Sequence, residues 1–190
     1  MTDQPRFLGL DDAPFTFDDR EVLVVGVVTR GASYVEAVLS TRVAVDGTDA
    51  TTRLQELVGS SRFHRRLEAV FLNGIALGGF NVVDVDALAR DLAAPVIALA
   101  RDRPDFAKMR AALEKHVAEW EGKWRLLDEA RLTPLRNGDY TVWGTFGGCD
   151  AAQAARLTTA ATVLGAVPEP VRLAHVIAGG VVRGESRGKA

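Results

Sequence analysis

Cysteine is all but missing from this sequence: Cys149 is the only one in 190 residues. A single thiol excludes an intramolecular disulfide framework and a cysteine-rich zinc site, and it suits a reducing cytosol. Long apolar runs are missing too. None approaches the ~18–20 residues needed to cross a bilayer, and the opening MTDQPRF is polar, so neither export nor membrane anchoring is expected. Charge of one sign is not in excess, since 23 basic residues stand against 25 acidic ones, a net charge of −2. That balance excludes a global pull toward nucleic acid, so any such binding needs a local basic patch. What is present is ordinary globular composition, 47% hydrophobic and 25% charged. The length suffices for one sizeable core and is short for two, so residues 1–190 are expected to form a single domain.

The hydrophobic patterning gives an order of elements. FLGLD (7–11) reads as a strand that ends in two aspartates, and EVLVVGVVTRG (21–31) as a β-branched central strand stopped by glycine. YVEAVLSTRVAVDG (34–47) alternates and closes at Asp-Gly, a third strand of an antiparallel meander. Residues 49–67 switch to helical spacing, with Asp49 or Thr51 placed to cap. AVFLNG (69–74) is a fourth strand, followed by the glycine-rich loop IALGGFN, a helix over 82–92 and a fifth strand, PVIALA (95–100). Strand, helix, strand with short connections is a parallel crossover unit. A long helix is expected over 104–124, a further strand over 139–146, an alanine-rich helix over 150–165, and a last helix that starts in PEPVRLAH (168–175). This order is what an α/β chain of the ribonuclease H-like class would give, a mixed central sheet with helices on both faces, though other α/β layouts share it.

The carboxylates fall at the ends of these elements. Asp11 and Asp12 end the first strand, Asp46 closes the third, Asp49 opens the next helix, and Asp150 starts a late one; Asn73 ends the fourth strand. If strands one and four are neighbours, these ends can converge at one edge. Carboxylate clusters suit hard divalent cations, which take oxygen ligands, and two such ions activate water and stabilise a leaving phosphodiester oxygen. Aspartates at strand ends and helix starts also serve turns and caps, so the pattern alone leaves both explanations open.

GLDDAPF, STRVAVDGTDAT, NGIALGGFNVVD and PVIALARDRPD together resemble the archaeal endonuclease dU family, distantly related to endonuclease V. The resemblance implies a Mg2+- or Mn2+-dependent endonuclease acting on DNA with deaminated bases such as deoxyuridine, or on RNA, in cytoplasmic DNA repair. A catalytically weakened nucleic-acid-binding protein on the same fold is the alternative. Asp11 stands where endonuclease V has its first-strand catalytic aspartate, Asp150 where it has a late aspartate, and Arg101 where it has a basic residue. PEPVRLAH matches a C-terminal stretch of that family, which implies that Arg172 and His175 pack near the site. Two departures stand out. The aspartate of the fourth strand is replaced by Asn73, and the Tyr-Pro wedge with its glutamate is absent, leaving Asp46 or Asp49 as the replacement. The implied metal ligands are Asp11, Asp49, Asn73 and Asp150. Asp46 and Arg101 complete the catalytic candidates, and Arg30, Gly78, Gly79, Arg101 and His175 are the candidates for nucleic-acid contact.

Other residues carry less. IALGGFN is neither a dinucleotide fingerprint nor a Walker loop, and Gly78 and Gly79 read as a tight turn. RFHRR (62–66) reads first as cations answering a helix dipole, with phosphate contact as the second possibility. Trp120, Trp124 and Phe80 read as packing, His64 and His116 as solvated, and Cys149 matches no nucleophile constellation.

Overall fold

The computed structural model describes residues 4–128 and 131–187. In chain order the strands are β1 (Arg6–Asp12), β2 (Glu21–Arg30), β3 (Tyr34–Ala44), β4 (Ala69–Asn73), β5 (Ala76–Leu77), β6 (Asn81–Val82), β7 (Val96–Ala100), β8 (Thr133–Asn137) and β9 (Tyr140–Gly147). The helices are α1 (Ala50–Gly59), α2 (Val85–Leu92), α3 (Phe106–His116), α4 (Trp120–Leu126), α5 (Ala151–Ala160) and α6 (Glu169–Arg183). Seven strands form one mixed sheet in the order β3-β2-β1-β4-β7-β9-β8, with β5 and β6 as a separate small hairpin. β2 is antiparallel to both β1 and β3, while β1, β4 and β7 run parallel. The first and fourth strands are neighbours, which is the condition for their ends to converge.

Strand periodicity sorts the core into two layers. Leu8, Leu10, Val70, Leu72 and Ala98 pack with α1 and α2 through Leu54, Leu88 and Leu92. Phe7, Phe71, Ile97 and Leu99 point the other way and pack with α5 and α6 through Ala154, Leu157 and Val171. A third cluster, around Val82, Leu113, Val117 and Leu127, seats α3 and α4 beside the β5–β6 hairpin.

Four expectations need correction. The helix expected over 49–67 ends at Gly59, and residues 60–66 form successive turns held by Ser61 and Phe63. The single helix over 104–124 is two, because the chain extends at Val117, which turns inward, and is left-handed at Glu119 (φ 55°). IALGGFN is not only a loop: Gly78 and Gly79, with φ of 57° and 83°, make the turn of the β5–β6 hairpin. β8 escapes notice in the sequence because it contains Pro134, which an edge strand tolerates and a central one does not.

The tightest approach between helix and sheet is at Gly9. A Cβ there would lie 2.2 Å from the carbonyl carbon of Pro170 and from the nitrogen of Val171, both backbone atoms that cannot swing aside. At Gly26 the nearest atoms are leucine side-chain carbons at 3.0 and 3.2 Å, which can give. Gly9→Ala is therefore expected to destabilise the protein by about 3 kcal/mol, and Gly26→Ala by distinctly less. Urea unfolding of both variants checks this; equal losses would mean that α6 is not seated on the bare backbone of β1.

Candidate functional site

Asp11 is the best-buried carboxylate of the described residues, 2% exposed, on the face of β1 that α6 covers. Its Oδ2 lies 2.8 Å from His175 Nδ1, and its Oδ1 accepts from Asn73 Nδ2 at 3.2 Å and from the Asp12 N–H at 3.0 Å. α6 supplies the histidine and β4 the asparagine, so three elements converge on one carboxyl group. Burial, and then the charge of Asp12, push the Asp11 carboxyl up to about 6, although hydrogen bonds from His175 and Asn73 pull the other way. A carboxyl this buried keeps its proton to higher pH than an exposed one does, and a cation or a donor offsets that.

Asp12 follows Asp11 in the strand and so faces the opposite side of the sheet. There its Oδ2 accepts from the Gly78 N–H at 2.8 Å. Burial raises this carboxyl too. Asp46, left-handed at φ 50°, braces the same hairpin: its N–H donates to Gly78 O at 2.8 Å and its Oδ1 accepts from the Phe80 N–H at 2.7 Å. Lys123, only 6% exposed, donates its Nζ to the carbonyl oxygens of Asp46 and Gly47. Gly78 was marked in the sequence as a turn, but Lys123 was marked by no signal; a lysine in EWEGKW looks like any solvated helix residue.

Asp49 sits at the N-cap position but makes no capping bond. Its carboxylate instead accepts from the Ala44 N–H (3.1 Å) and Asn81 Nδ2 (2.6 Å) and pairs with Arg53 (3.3 Å). Burial opposes ionisation there, yet these bonds hold the group below the usual carboxylate range. Asp46 and Asp49 thus fasten loops, and their bonded oxygens are engaged away from Asp11.

Two placements overturn the expected cluster. β9 is antiparallel to β7 with Gly147 opposite Val96, so it delivers Asp150 to the end of the sheet where β1 and β4 begin, whereas Asp11 lies where β1 ends. Strand spacings put Gly147, three residues before Asp150, already roughly 10 Å from Asp11 along the strands and ~14 Å across them. Asp150 caps α5, accepting from the Gln153 N–H at 2.8 Å, and cannot share an ion with Asp11. Arg30 is at that far end as well, opposite Arg6 and paired with Glu36 at 2.7 Å. Arg101 and Gly78–Gly79 do fall at the Asp11 end, Arg101 exposed just past β7. Arg172 is tied to Glu169 at 2.6 Å rather than to Asp11.

Among the described residues no three His, Cys, Asp or Glu side chains are arranged to hold a metal ion. The donor set at Asp11 suits one hard cation, through its own carboxylate and the amide oxygen of Asn73, but lacks the carboxylates for two. Beside it, past Asn73, opens a pocket of about 280 Å³ lined by Gly74, Ile75, Leu99, Phe106, Met109 and Leu127 among others. No described helix is long and apolar enough to cross a membrane.

The sequence matches the endonuclease dU family over residues 3–182. A UPF0215 protein of Methanothermobacter thermautotrophicus is 40% identical over 186 residues, 97% of this chain and 91% of its own. A crystal structure of an Archaeoglobus fulgidus protein is 36% identical with a TM-score of 0.84, covering 95% of this chain and 100% of that one. The catalytic domain of human endonuclease V aligns with a TM-score of 0.60 at 16% identity, over 96% of this chain and 84% of that one. Endonuclease V of Ciona intestinalis, in complex with inosine-containing DNA, gives 0.56 at 13%, over 90% and 82%. At those identities the two endonuclease V structures share the fold, and they say no more.

The raised carboxyl of Asp11 has a consequence for stability. Its folded value, about 6, exceeds its ordinary value of 3.8, so the folded state binds that proton more tightly. The resulting stabilisation is complete below the ordinary value and is lost as pH rises toward the folded one. Asp11→Asn does not titrate, so wild type should lose about 2 kcal/mol relative to that variant between pH 4 and pH 7 in chelator. Urea melts at both pH values test this; a constant difference would show that Asp11 ionises as an exposed aspartate does.

Proposed function

Because the chain belongs to the endonuclease dU family, we propose that it is a metal-dependent endonuclease on a ribonuclease H-like fold. It cuts DNA near deaminated bases, deoxyuridine foremost, as a step in repair. The supporting observation is the buried Asp11 carboxylate in contact with His175 at the strand ends, beside an apolar pocket. Asp11 engages the imidazole through Nδ1, which fixes the ring and leaves Nε2 to exchange a proton with the attacking water or the leaving oxygen. Asp11 Oδ1 and Asn73 Oδ1 are the oxygens that would hold Mg2+ or Mn2+. Such an ion, when bound, offsets phosphate charge and acidifies water. Arg101 would hold a neighbouring phosphate as an always-charged fork. The pocket past Asn73 suits a base taken out of the stack, whose faces are apolar.

A second reading has one observation in its favour. Asn73 turns an N–H toward Asp11 where a carboxylate would add charge, and Asp46, Asp49 and Asp150 do not reach Asp11. That is what a weakened nuclease, retaining only nucleic-acid binding, would carry.

A nicking assay on labelled duplex containing one deoxyuridine decides between them. Cleavage is expected with Mg2+ or Mn2+ and not in chelator, and Asp11→Asn and His175→Gln should each slow it about 100-fold or more. Binding without nicking in any divalent ion would favour the second reading; neither binding nor nicking would remove both.

Asn73→Asp tests the metal directly. The new carboxylate should repel Asp11 in chelator and attract the cation when it is present. The variant should melt below the parent in chelator and gain more from added Mg2+, because binding to the folded state alone stabilises it. Identical Mg2+ shifts in both proteins would take Asn73 out of the site.

A further inference from the structure

Past α1 the chain carries Arg62, Phe63, His64, Arg65 and Arg66 in a row. α1 ends at Gly59 with no basic residue in its last turn, so these cations lie beyond the reach of its dipole. The explanation that the sequence favoured therefore fails. Ordered turns carry them instead: the His64 N–H donates to Ser61 O at 3.2 Å, and the Arg66 N–H to Phe63 O at 2.8 Å. Phe63, 3% exposed, plugs the segment into the core, and the Arg62 guanidinium lies over its ring at 4.8 Å. Arg62, Arg65 and Arg66 themselves are exposed.

The segment leads into β4, so it occupies the end of the sheet opposite Asp11. The Glu68 N–H donates to Arg6 O at 2.7 Å, and Arg65 and Arg66 share a surface depression with Gln4, Arg6 and Glu68. Residues 60–68 hold three arginines against one glutamate, in a chain whose net charge is −2. Arg65 is also left-handed, with φ 59°. Glycine or asparagine occupies that conformation with less strain, so the backbone does not ask for arginine there.

We propose that this turn is a second nucleic-acid contact, gripping backbone phosphates at the far end of the sheet from Asp11. Guanidinium groups pair bidentately with phosphate, and an ordered turn holds three of them without the loss of freedom that a mobile tail would suffer. Arg6 and Asp11 are five strand residues apart, about 17 Å, which is half a turn of B-form duplex. A polynucleotide of modest length can therefore reach both ends of the molecule. The inference rests on the protein handling nucleic acid, not on its cutting it.

The test is fluorescence anisotropy with a labelled, undamaged DNA duplex of about two helical turns, in chelator, across a salt series. The variant is Arg65→Asn/Arg66→Gln, which keeps a residue tolerant of the left-handed turn and spares the packing of Arg62 on Phe63. Its melting temperature should match the parent's. Its affinity should fall, and the slope of log K against log salt should flatten by about 0.9 for each lost phosphate contact. Arg136→Gln/Arg156→Gln, which removes the same charge from β8 and α5, should leave both unchanged. The proposal is overturned by a parent that does not bind, by a slope that the variant does not flatten, or by an equal loss in the β8–α5 control. Loss of binding to a polyglutamate peptide with DNA binding intact also overturns it, in favour of an acidic protein. With undamaged DNA and no divalent ion, failure here says nothing against cleavage, and failure to nick says nothing against this contact.

Discussion

α6 can lie on β1 only because Gly9 has no side chain, and the site follows from that seat. Pro170 and Val171 rest on the Gly9 backbone. From there Asp11 is two residues along the strand, about 6.7 Å, on the same face. His175 is four residues along the helix from Val171, about 6 Å, on the same side. The two rises nearly agree, so a contact fixed at Gly9 recurs one helical turn later as the Asp11–His175 pair at 2.8 Å. PEPVRLAH is thus a positioning device. Pro168 and Pro170 start the helix, Val171 docks it, and His175 arrives where the strand presents its buried carboxylate.

The other face of the sheet has its own brace. Asp12 points away from Asp11 because successive strand residues alternate, and it takes the Gly78 N–H. The hairpin turn that offers this donor is held by Asp46, and the strained backbone of Asp46 is held by Lys123. Lys123 pays for its burial with two carbonyl contacts, and burial pulls its own ammonium below the ordinary lysine value. Lys123 therefore braces, through Asp46, the turn whose Gly78 N–H Asp12 accepts.

Much of this was legible in the sequence because it depends on local pattern. The β-branched run of 22–28 and the Asp-Asp ending of 7–12 fixed the central strands, and the crossover from 69 to 100 fixed the parallel neighbours. The placement of Asp150 was not legible. Which end of the sheet a residue reaches depends on strand direction, and the direction of β9 depends on a hairpin with β8, hidden by Pro134. Arg30, by contrast, was legible: the antiparallel meander expected from the sequence already carries the last residue of β2 to the start of β1. Asp49 reads as a helix cap by position, yet Asn81, 32 residues on, claims its carboxylate. Sequence proximity says which residues end elements. It does not say which ends meet.

Asn73 shows why a site short of carboxylates can still suit a cation. Asp11 is buried with the charge of Asp12 nearby, and a third carboxylate would be supported only while an ion was bound. An amide supports both conditions. With Nδ2 toward Asp11, as here, it donates at 3.2 Å and helps satisfy the buried carboxylate without metal. Turned about its last torsion, the same side chain offers Oδ1, a ligand for a hard cation, at the same place. The exchange leaves the sheet, α6 and the Asp11–His175 contact undisturbed, because Asn73 is the last residue of β4 and its neighbour Gly74 continues the backbone bonding to Leu99 at 2.7 Å. One of the three contacts that satisfy Asp11 therefore comes from a group that can itself turn to a cation.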